Sequence, residues 1–363
     1  MSLRERLRAE IAQTGPIGVA EYMNRCLNDP LGGYYATRPA LGEAGDFITA
    51  PMVSQMFGEL LGVWAVETWT RMGKPAPFRL VEMGPGDGAL MSDLLRAVRL
   101  APDFIAAADL WLVETSAPLR AAQRARLAGA TPAPAWAASL DELPAGAPVI
   151  LIANELIDCL PARQYVRVGD AWVERLVGLG EDGDLAFGLG PSVAAPASGW
   201  SPSPPGREEP GPVLEVSAAQ EAMGAALGAL IAREGGVALL IDYGRDRPEF
   251  GDTLQALKGH EKVDPLAFPG ESDLTVYADF PTVRDAARAA GAAATDAIPQ
   301  GLFLGMLGIQ HRAEALKAAR PDRADVIDRQ LTRLVSPDEM GQLFKAACIH
   351  SPGVVPPGFE ASA

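Results

Sequence analysis

The residues that most constrain the fold lie between 78 and 95 and read FRLVEMGPGDGALMSDLL. Residues 78–83 predict a buried strand, and the apolar residues after the glycines recur with helical spacing. Gly84, Gly86 and Gly88 predict a tight turn between the two. Glycine lets the backbone approach a ligand closely, and the helix N-terminus behind the turn offers free N–H groups. This strand–turn–helix unit is therefore predicted to bind a ligand.

Apolar strands and helices alternate along much of the remaining chain. Strands are predicted at 110–114, 149–153 and 237–243, with helical patterns between them. Such alternation is typical of βαβ units. It predicts an α/β fold with a Rossmann-like, doubly wound and mostly parallel sheet.

The segments outside this alternation suggest further divisions. Residues 1–75 contain helical patterns and a long loop, 29–51, that is rich in glycine, proline and aromatic residues. We predict an N-terminal helical region over 1–75 that covers the cofactor, followed by a Rossmann-like domain over 76–363. In the second domain, we predict an insertion after the fourth strand (159–212) and an irregular segment on the substrate side (245–275).

The composition restricts the possible partners. The formal net charge is −15, whereas nucleic-acid binding needs clustered lysine and arginine. Cys26, Cys159 and Cys348 are far apart and form no metal-binding pattern, so no metal site is expected. The N-terminal segment has no apolar run of about 7–15 residues, as a signal peptide would have. No run in the chain approaches the roughly 18 apolar residues that a membrane span needs. The sequence predicts a cytoplasmic protein without nucleic-acid or membrane partners, and it leaves the oligomeric state open.

The glycine turn alone fits two cofactors. Gly84, Gly86 and Ala89 satisfy the GxGxxG/A pattern of dinucleotide-binding sites, which favours NAD. Glu82 opposes NAD, because a carboxylate beside a pyrophosphate costs Coulomb energy. S-adenosylmethionine carries a sulfonium and an ammonium group and has no phosphate. Glu82 therefore favours S-adenosylmethionine.

Two further strands are predicted to end in polar residues. Glu114 ends the strand after the glycine unit, where a carboxylate can accept hydrogen bonds from both ribose hydroxyls of either cofactor. Asn154 follows the apolar run VILIA. Because the carboxyl ends of strands in an open α/β sheet line the ligand crevice, we expect both residues to face the cofactor.

Five blocks of the sequence resemble one protein family. They are GDFITAPMVSQMFGELLG (45–62), VEMGPGDGALMSDLLR (81–96), ANELIDCLPARQY (153–165), LIDYG (240–244) and TLQALKGHEKVDPLAFPGESDLT (253–275). In content and order they are similar to the MidA-like class I methyltransferases. These are bacterial relatives of the mitochondrial complex I assembly factor that methylates an arginine of a complex I core subunit. The resemblance implies an S-adenosylmethionine-dependent protein-arginine N-methyltransferase that acts on a respiratory complex I-type subunit.

The resemblance also implies roles for individual residues. The positions that match the family's cofactor-binding residues are Glu82, Gly84, Gly86, Glu114 and Asn154, and those that match its cofactor-covering signature include Asp46, Phe47 and Thr49. The chain departs from the family pattern at Asp87 and within IPQGLFLGMLGI (298–309). Neither departure affects a position assigned to the cofactor.

The acceptor arginine needs acidic partners, because carboxylates bind a guanidinium through paired hydrogen bonds. The acids best placed for this are Asp46, Glu155, Asp158 and Asp242, of which the last three lie at or just past predicted strand ends. We predict that Glu155 and Asp158 are catalytic. His260, in the LKGHEK block, is predicted to assist proton removal or to contact the substrate. Tyr34 and Tyr35 lie in the long loop, and their role is left open.

Two alternatives to arginine methylation remain at this point. The enzyme could methylate a small molecule or another protein side chain. The chain could instead be an assembly factor that acts mainly by binding its partner. Loss of cofactor binding with retention of assembly would distinguish the second alternative.

Overall fold

A computed structural model of the chain describes residues 1–37, 49–194 and 212–360. Its α-helices, numbered along the chain, are α1 (Leu3–Thr14), α2 (Val19–Asn28), α3 (Tyr34–Thr37), α4 (Ala50–Val53), α5 (Gln55–Arg71), α6 (Ala89–Ala97), α7 (Pro102–Ala107), α8 (Ala117–Arg126), α9 (Ala218–Glu234), α10 (Phe280–Ala289), α11 (Gln300–Met306), α12 (Ile309–Ala319), α13 (Ala324–Val335) and α14 (Met340–Leu343). Its strands are β1 (Ile17–Gly18), β2 (Phe78–Met83), β3 (Ala108–Val113), β4 (Ala135–Ala137), β5 (Val149–Asn154), β6 (Arg163–Val168), β7 (Ala171–Leu179), β8 (Leu185–Val193), β9 (Val213–Val216), β10 (Gly236–Arg245), β11 (Gln255–Lys258), β12 (Glu261–Val263), β13 (Asp273–Thr275), β14 (Ala278–Asp279), β15 (Ala293–Ala294), β16 (Ile298–Pro299) and β17 (Phe344–His350).

Within the described residues, a nine-stranded sheet has the central order β15-β17-β10-β5-β2-β3-β4, with β14 beside β10 and β16 beside β17. Strands β10, β5, β2, β3 and β4 are parallel, whereas β17 is antiparallel to β10. Every residue of β5 and β10 is buried, as expected for strands covered on both faces. The predicted Rossmann-like, mostly parallel sheet is confirmed. Strand β3 spans Ala108–Val113 rather than the predicted 110–114.

Helices cover both faces of this sheet. On one face, Phe57 and Leu61 of α5 and Leu94 of α6 share an apolar core with the sheet. On the other, Leu227 of α9 and Val283 of α10 do so. These two cores hold the carboxyl ends of β2, β3 and β5 in fixed positions, and those ends form the site described below.

A second, antiparallel sheet has the order β1-β7-β6-β9, with β8 paired to β7. Strands β6 and β7 form a hairpin in the predicted insertion, which follows β5, the fourth strand of the main sheet along the chain. Residues 195–211 of the insertion lie outside the described residues. Leu7 of α1, Met23 of α2 and Val177 of β7 belong to one apolar core. The N-terminal helices α1 and α2 therefore pack with the insertion, whereas α5 packs with the main sheet. Residues 1–75 thus belong to two different apolar cores.

The segment 245–275, predicted to be irregular, contains a three-stranded antiparallel sheet of order β12-β11-β13. Its strands are only three or four residues long, which is too short to give a clear periodic pattern. Gly259 and His260 connect β11 and β12 with φ angles of 59° and 66°. Positive φ at both central residues is the geometry of the hairpin turns that match strand twist.

No helix among the described residues is long and apolar enough to cross a membrane. Cys26, Cys159 and Cys348 are free thiols. The part of the chain that the structure describes contains no group of histidine, cysteine and acidic side chains arranged to hold a metal ion.

Candidate active site

A cavity of about 310 Å³ lies at the carboxyl ends of β2, β3 and β5. Parallel strands of an open α/β sheet bring their carboxyl ends to one edge, where ligands bind. Six acidic residues are among those that line the cavity, namely Glu82, Asp87, Glu114, Glu155, Asp158 and Asp273. No lysine, arginine or histidine is among its described lining residues. The cavity is therefore suited to a ligand that carries positive charge.

The glycine turn forms the floor of this cavity. Gly84, Gly86 and Gly88 have φ angles of 68°, 54° and 85°, a region that side chains disfavour. A Cβ atom on Gly84 would lie 2.8 Å from Cδ1 of Leu156. Glycine at 84 thus keeps the turn both unstrained and open, and α6 begins directly behind it at Ala89.

Glu82 lies near the carboxyl end of β2 and is only 3% exposed. Its Oε2 atom has no hydrogen-bond partner among the described residues. Burial, together with the charge of Asp87, raises the pKa of Glu82 to about 8. A buried carboxyl group without a partner is costly, and a cationic ligand beside it would relieve that cost.

Glu114 follows β3 and is held by two donors. The Ser116 N–H donates to its Oε1 atom at 2.7 Å, and the Gln123 side-chain amide donates to its Oε2 atom at 3.2 Å. Gln123 also donates to the backbone oxygen of Gly86 at 2.7 Å. Gln123 therefore connects Glu114 to the glycine turn. Sequence reasoning missed it, because its spacing in α8 carries no signal for a role at the site.

Asn154 and Glu155 follow one another at the end of β5. The Asn154 amide donates to Oε1 of Glu155 at 3.0 Å, and the backbone N–H of Ala50 donates to the same atom at 2.8 Å. The Asn154 Oδ1 and Glu155 Oε2 atoms have no partner among the described residues. Burial raises the pKa of Glu155 to about 8. Both residues thus line the cavity, and each has one buried polar atom without a partner among the described residues.

Asp242 shapes the turn that presents Glu155 and Asp158. Its Oδ2 atom accepts the backbone N–H groups of Leu156, Ile157 and Asp158 at 3.1, 2.7 and 3.1 Å. Burial and the charges of Asp158 and Glu155 raise the pKa of Asp242. Burial also raises the pKa of Asp158. Asp242 is fully buried and supports the turn, whereas Asp158 lines the cavity.

Tyr35 and Asp273 also line the cavity. The Tyr35 hydroxyl donates to Oδ1 of Asp273 at 2.9 Å. Asp273 belongs to the PGESDLT block quoted above, yet no local pattern predicts that β13 reaches the cavity. Tyr35 lies in the short helix α3, within the segment 29–51 that the sequence predicts as a long loop.

The remaining predicted site residues lie elsewhere or are not described. Thr49 lines the cavity and precedes α4. Asp46 and Phe47 lie outside the described residues. His260 is exposed at the turn between β11 and β12 and is not among the residues that line the cavity. The cavity geometry therefore does not support the predicted catalytic role of His260, which stays a prediction.

Comparison with known proteins indicates which ligand the cavity binds. A model of S-adenosyl-L-methionine-dependent methyltransferases matches residues 60–298. The mitochondrial protein arginine methyltransferase NDUFAF7 homolog of Drosophila melanogaster is 36% identical, over 98% of this chain and 86% of the relative. The mitochondrial protein arginine methyltransferase NDUFAF7 of Homo sapiens is 34% identical, over 93% of this chain and 81% of the relative.

The chain belongs to the MidA-like family of S-adenosylmethionine-dependent methyltransferases. A crystal structure of a COG1565 superfamily member from Burkholderia thailandensis, bound to S-adenosyl-homocysteine, is similar throughout. Its TM-score is 0.83 and its identity 29%, over 97% of this chain and 92% of that one. The expected cofactor, S-adenosylmethionine, is thereby confirmed.

The cavity fits this cofactor on its own chemistry. Glu82 is buried and its Oε2 atom has no hydrogen-bond partner among the described residues, which suits a ligand with positive charge. The glycine turn at Gly84 allows close approach of the backbone. Glu114 also lines the cavity, and its carboxylate oxygens can accept more than one hydrogen bond each. These features are the ones that a methyl donor with a sulfonium and an ammonium group requires.

Proposed function

We propose that this chain methylates an arginine side chain of a protein. The observation that carries the proposal is the acidic lining of the cavity, which has no lysine, arginine or histidine among its described residues. Curated relatives named protein arginine methyltransferase support the proposal. An acceptor that is itself cationic is the substrate class that such a lining would bind.

On the cofactor side, the assigned residues are Glu82, Gly84, Gly86, Glu114 and Asn154, with Thr49 at the edge of the cavity. When bound, S-adenosylmethionine supplies an electrophilic methyl group on a cationic sulfur. Glu82 attracts the positive charge, and Glu114 orients the ribose. The glycines let the ligand approach the backbone closely. Asp46 and Phe47 keep the covering role that the family resemblance implies.

On the acceptor side, Glu155 and Asp158 hold the guanidinium. A guanidinium is planar, always charged and carries five N–H donors, so carboxylates bind it through forked hydrogen bonds. The Oε2 atom of Glu155 is buried and unpartnered among the described residues, and Asp158 lies three residues on along the same turn. The acceptor nitrogen loses a proton during methylation, and these carboxylates, whose pKa values burial raises, are suited to take it.

The protein substrate we propose is a subunit of the respiratory complex I type, on the family resemblance described above. The relatives compared here are named as mitochondrial, and the cytoplasmic location of this chain stays a prediction. Glu155 and Asp158 specify the chemistry of the acceptor side chain and not the identity of the protein that carries it.

Mass spectrometry of methylarginine tests the proposal. Proteins from a strain that lacks this gene should lose methylation at one or a few arginines. The wild-type gene should restore it, and a gene with Gly84→Val should not. Unchanged methylation at every arginine would refute arginine as the acceptor, whatever the cofactor affinity of the purified protein.

A further inference from the structure

Tyr35 contacts both sides of the cavity. Its hydroxyl donates to Oδ1 of Asp273 at 2.9 Å, and its backbone oxygen accepts the Ser116 hydroxyl at 2.8 Å. The N–H of Ser116 in turn donates to Oε1 of Glu114 at 2.7 Å. A continuous series of hydrogen bonds therefore runs from the ribose acid Glu114, through Ser116 and Tyr35, to Asp273.

Asp273 is a third carboxylate on the acceptor side. It begins β13, lines the cavity and is 6% exposed. The charges of Asp158 and Asp273 both act on Glu155, so the three carboxyl groups lie within interaction range of one another. Burying three like charges together is costly unless a cation joins them.

The three carboxylates come from two different parts of the fold. Glu155 and Asp158 belong to the turn after β5, whereas Asp273 belongs to the small sheet of β11, β12 and β13. A guanidinium offers five N–H donors spread around its plane, and an ammonium offers three on one atom. Carboxylates that come from separate segments therefore match a guanidinium better than an ammonium.

We propose that Asp273 binds the acceptor guanidinium together with Glu155 and Asp158, and that Tyr35 is the positioning residue that orients Asp273. This proposal rests on the proposed arginine methylation. Because Tyr35 is also attached to Ser116, it fixes the distance between the ribose side and the acceptor side. Asp273 and Tyr35 would therefore set the preference of the site for arginine over lysine.

The proposal is tested by methyl transfer from labelled S-adenosylmethionine to proteins in an extract of the deletion strain, followed by separation of methylarginine from methyllysine. Asp273→Asn should raise the half-saturating extract concentration about tenfold, the usual effect of losing a charged hydrogen bond. Tyr35→Phe should raise it about threefold, as for a weaker, indirect bond. Both variants should keep the wild-type affinity for S-adenosylhomocysteine within about twofold by calorimetry, since neither removes a cofactor-binding group.

A double variant shows whether Tyr35 acts through Asp273. If it does, Tyr35→Phe should add no further effect in the Asp273→Asn background, because coupled residues are not additive. Tyr22→Phe is the matched control: its buried hydroxyl donates to the backbone oxygen of Pro265 at 2.8 Å and does not line the cavity. The half-saturating extract concentration should be unchanged in this control.

The proposal would be overturned by a wild-type half-saturating extract concentration in Asp273→Asn, or by additive effects in the double variant. A loss of S-adenosylhomocysteine binding in Asp273→Asn would also overturn it, since the residue would then serve the cofactor side. If the wild-type enzyme binds S-adenosylhomocysteine yet labels no arginine, the proposed function fails instead. The two failures are thus distinguishable.

Discussion

The two sides of the cavity are built in different ways. On the side that we propose for the cofactor, Glu82, Glu114 and Asn154 lie at the carboxyl ends of β2, β3 and β5, which are adjacent parallel strands. On the acceptor side, Tyr35 comes from the N-terminal region and Asp273 from the three-stranded sheet. The first side is fixed by one sheet, and the second depends on contacts between separate segments.

We expect the two sides, which differ in construction, to differ in function as well. A ligand shared by a whole family suits a site whose residues are fixed by sheet geometry. An acceptor that differs between enzymes suits a site made from loops and small sheets, which tolerate change more readily. Variants on the two sides should accordingly separate cofactor binding from methyl transfer.

The largest effect is expected at the glycine turn. Gly84→Ala places a Cβ atom 2.8 Å from Leu156 Cδ1, at a φ of 68°. The affinity for S-adenosylhomocysteine should fall about 100-fold, which corresponds to roughly 2.7 kcal/mol. Isothermal calorimetry measures this directly.

Gly129→Ala is the matched control, because Gly129 has a φ of 77° and nothing within 4 Å of an added Cβ. It should lose about 1 kcal/mol of unfolding free energy through backbone strain, with unchanged affinity. Equal losses of affinity in the two variants would contradict the assigned role of Gly84.

The next effect concerns the charge of Glu82. Glu82→Gln should lower S-adenosylmethionine affinity about 30-fold, because neutralising one member of a buried charge pair costs about 2 kcal/mol. S-adenosylhomocysteine affinity should fall less, since that ligand lacks the sulfonium charge. Glu59→Gln serves as the control, because Glu59 is 7% exposed and paired with Arg96 and Arg312 away from the cavity. Equal losses of affinity for S-adenosylmethionine and S-adenosylhomocysteine would show that Glu82 does not interact with the sulfonium charge.

A dependence on pH should follow from the same carboxyl groups. Burial raises the pKa of Glu82 and Glu155 from 4.5 to about 8 in the ligand-free fold. Between these values the folded state binds more protons than the unfolded state, so stability falls as pH rises towards 8. Thermal unfolding from pH 5 to 8.5 should show this fall, and the double variant Glu82→Gln, Glu155→Gln should reduce it.

Cofactor binding should show the opposite trend. The cationic cofactor favours the ionised form of Glu82, so S-adenosylmethionine affinity should rise with pH by up to about tenfold per unit below the pKa of Glu82. Calorimetry in buffers of different ionisation enthalpy should detect proton release. Proton uptake on binding would contradict the assignment of Glu82 as a partner of the cationic cofactor.

The smallest effect is expected at His260. It is exposed at a hairpin turn outside the cavity, so His260→Ala should change transfer rate and cofactor affinity by less than about twofold, as is usual for surface substitutions. A large loss of transfer rate with intact cofactor affinity would instead support the catalytic role predicted from its sequence block.

The cofactor side could be predicted from the sequence because its signals are local. Strand β2, the glycine turn and α6 follow one another within a short stretch, and Glu82 is recognisable from its position before the turn. Ser54 also caps α5 as its position suggests, accepting the N–H of Met56 at 3.3 Å. Such features depend on neighbouring residues alone.

The acceptor side could be predicted only in part. Glu155 and Asp158 were found because they follow a predicted strand end. The bond between Tyr35 and Asp273 joins residues 238 positions apart, and it depends on how the small sheet packs. His260 lies in the same sequence block as Asp273, yet the hairpin turn places it in solvent. Membership of a block therefore did not show which of its residues reach the cavity.

The most direct test measures methyl transfer to arginine and S-adenosylhomocysteine affinity together in Gly84→Ala and Glu155→Gln. Gly84→Ala should lose both. Glu155→Gln should lose transfer by about 100-fold, as for a group that acts in the reaction, while its cofactor affinity stays within about threefold of wild type. Undiminished transfer by Glu155→Gln, or loss of cofactor binding in it, would contradict the separation of the cavity into a cofactor side and an acidic acceptor side.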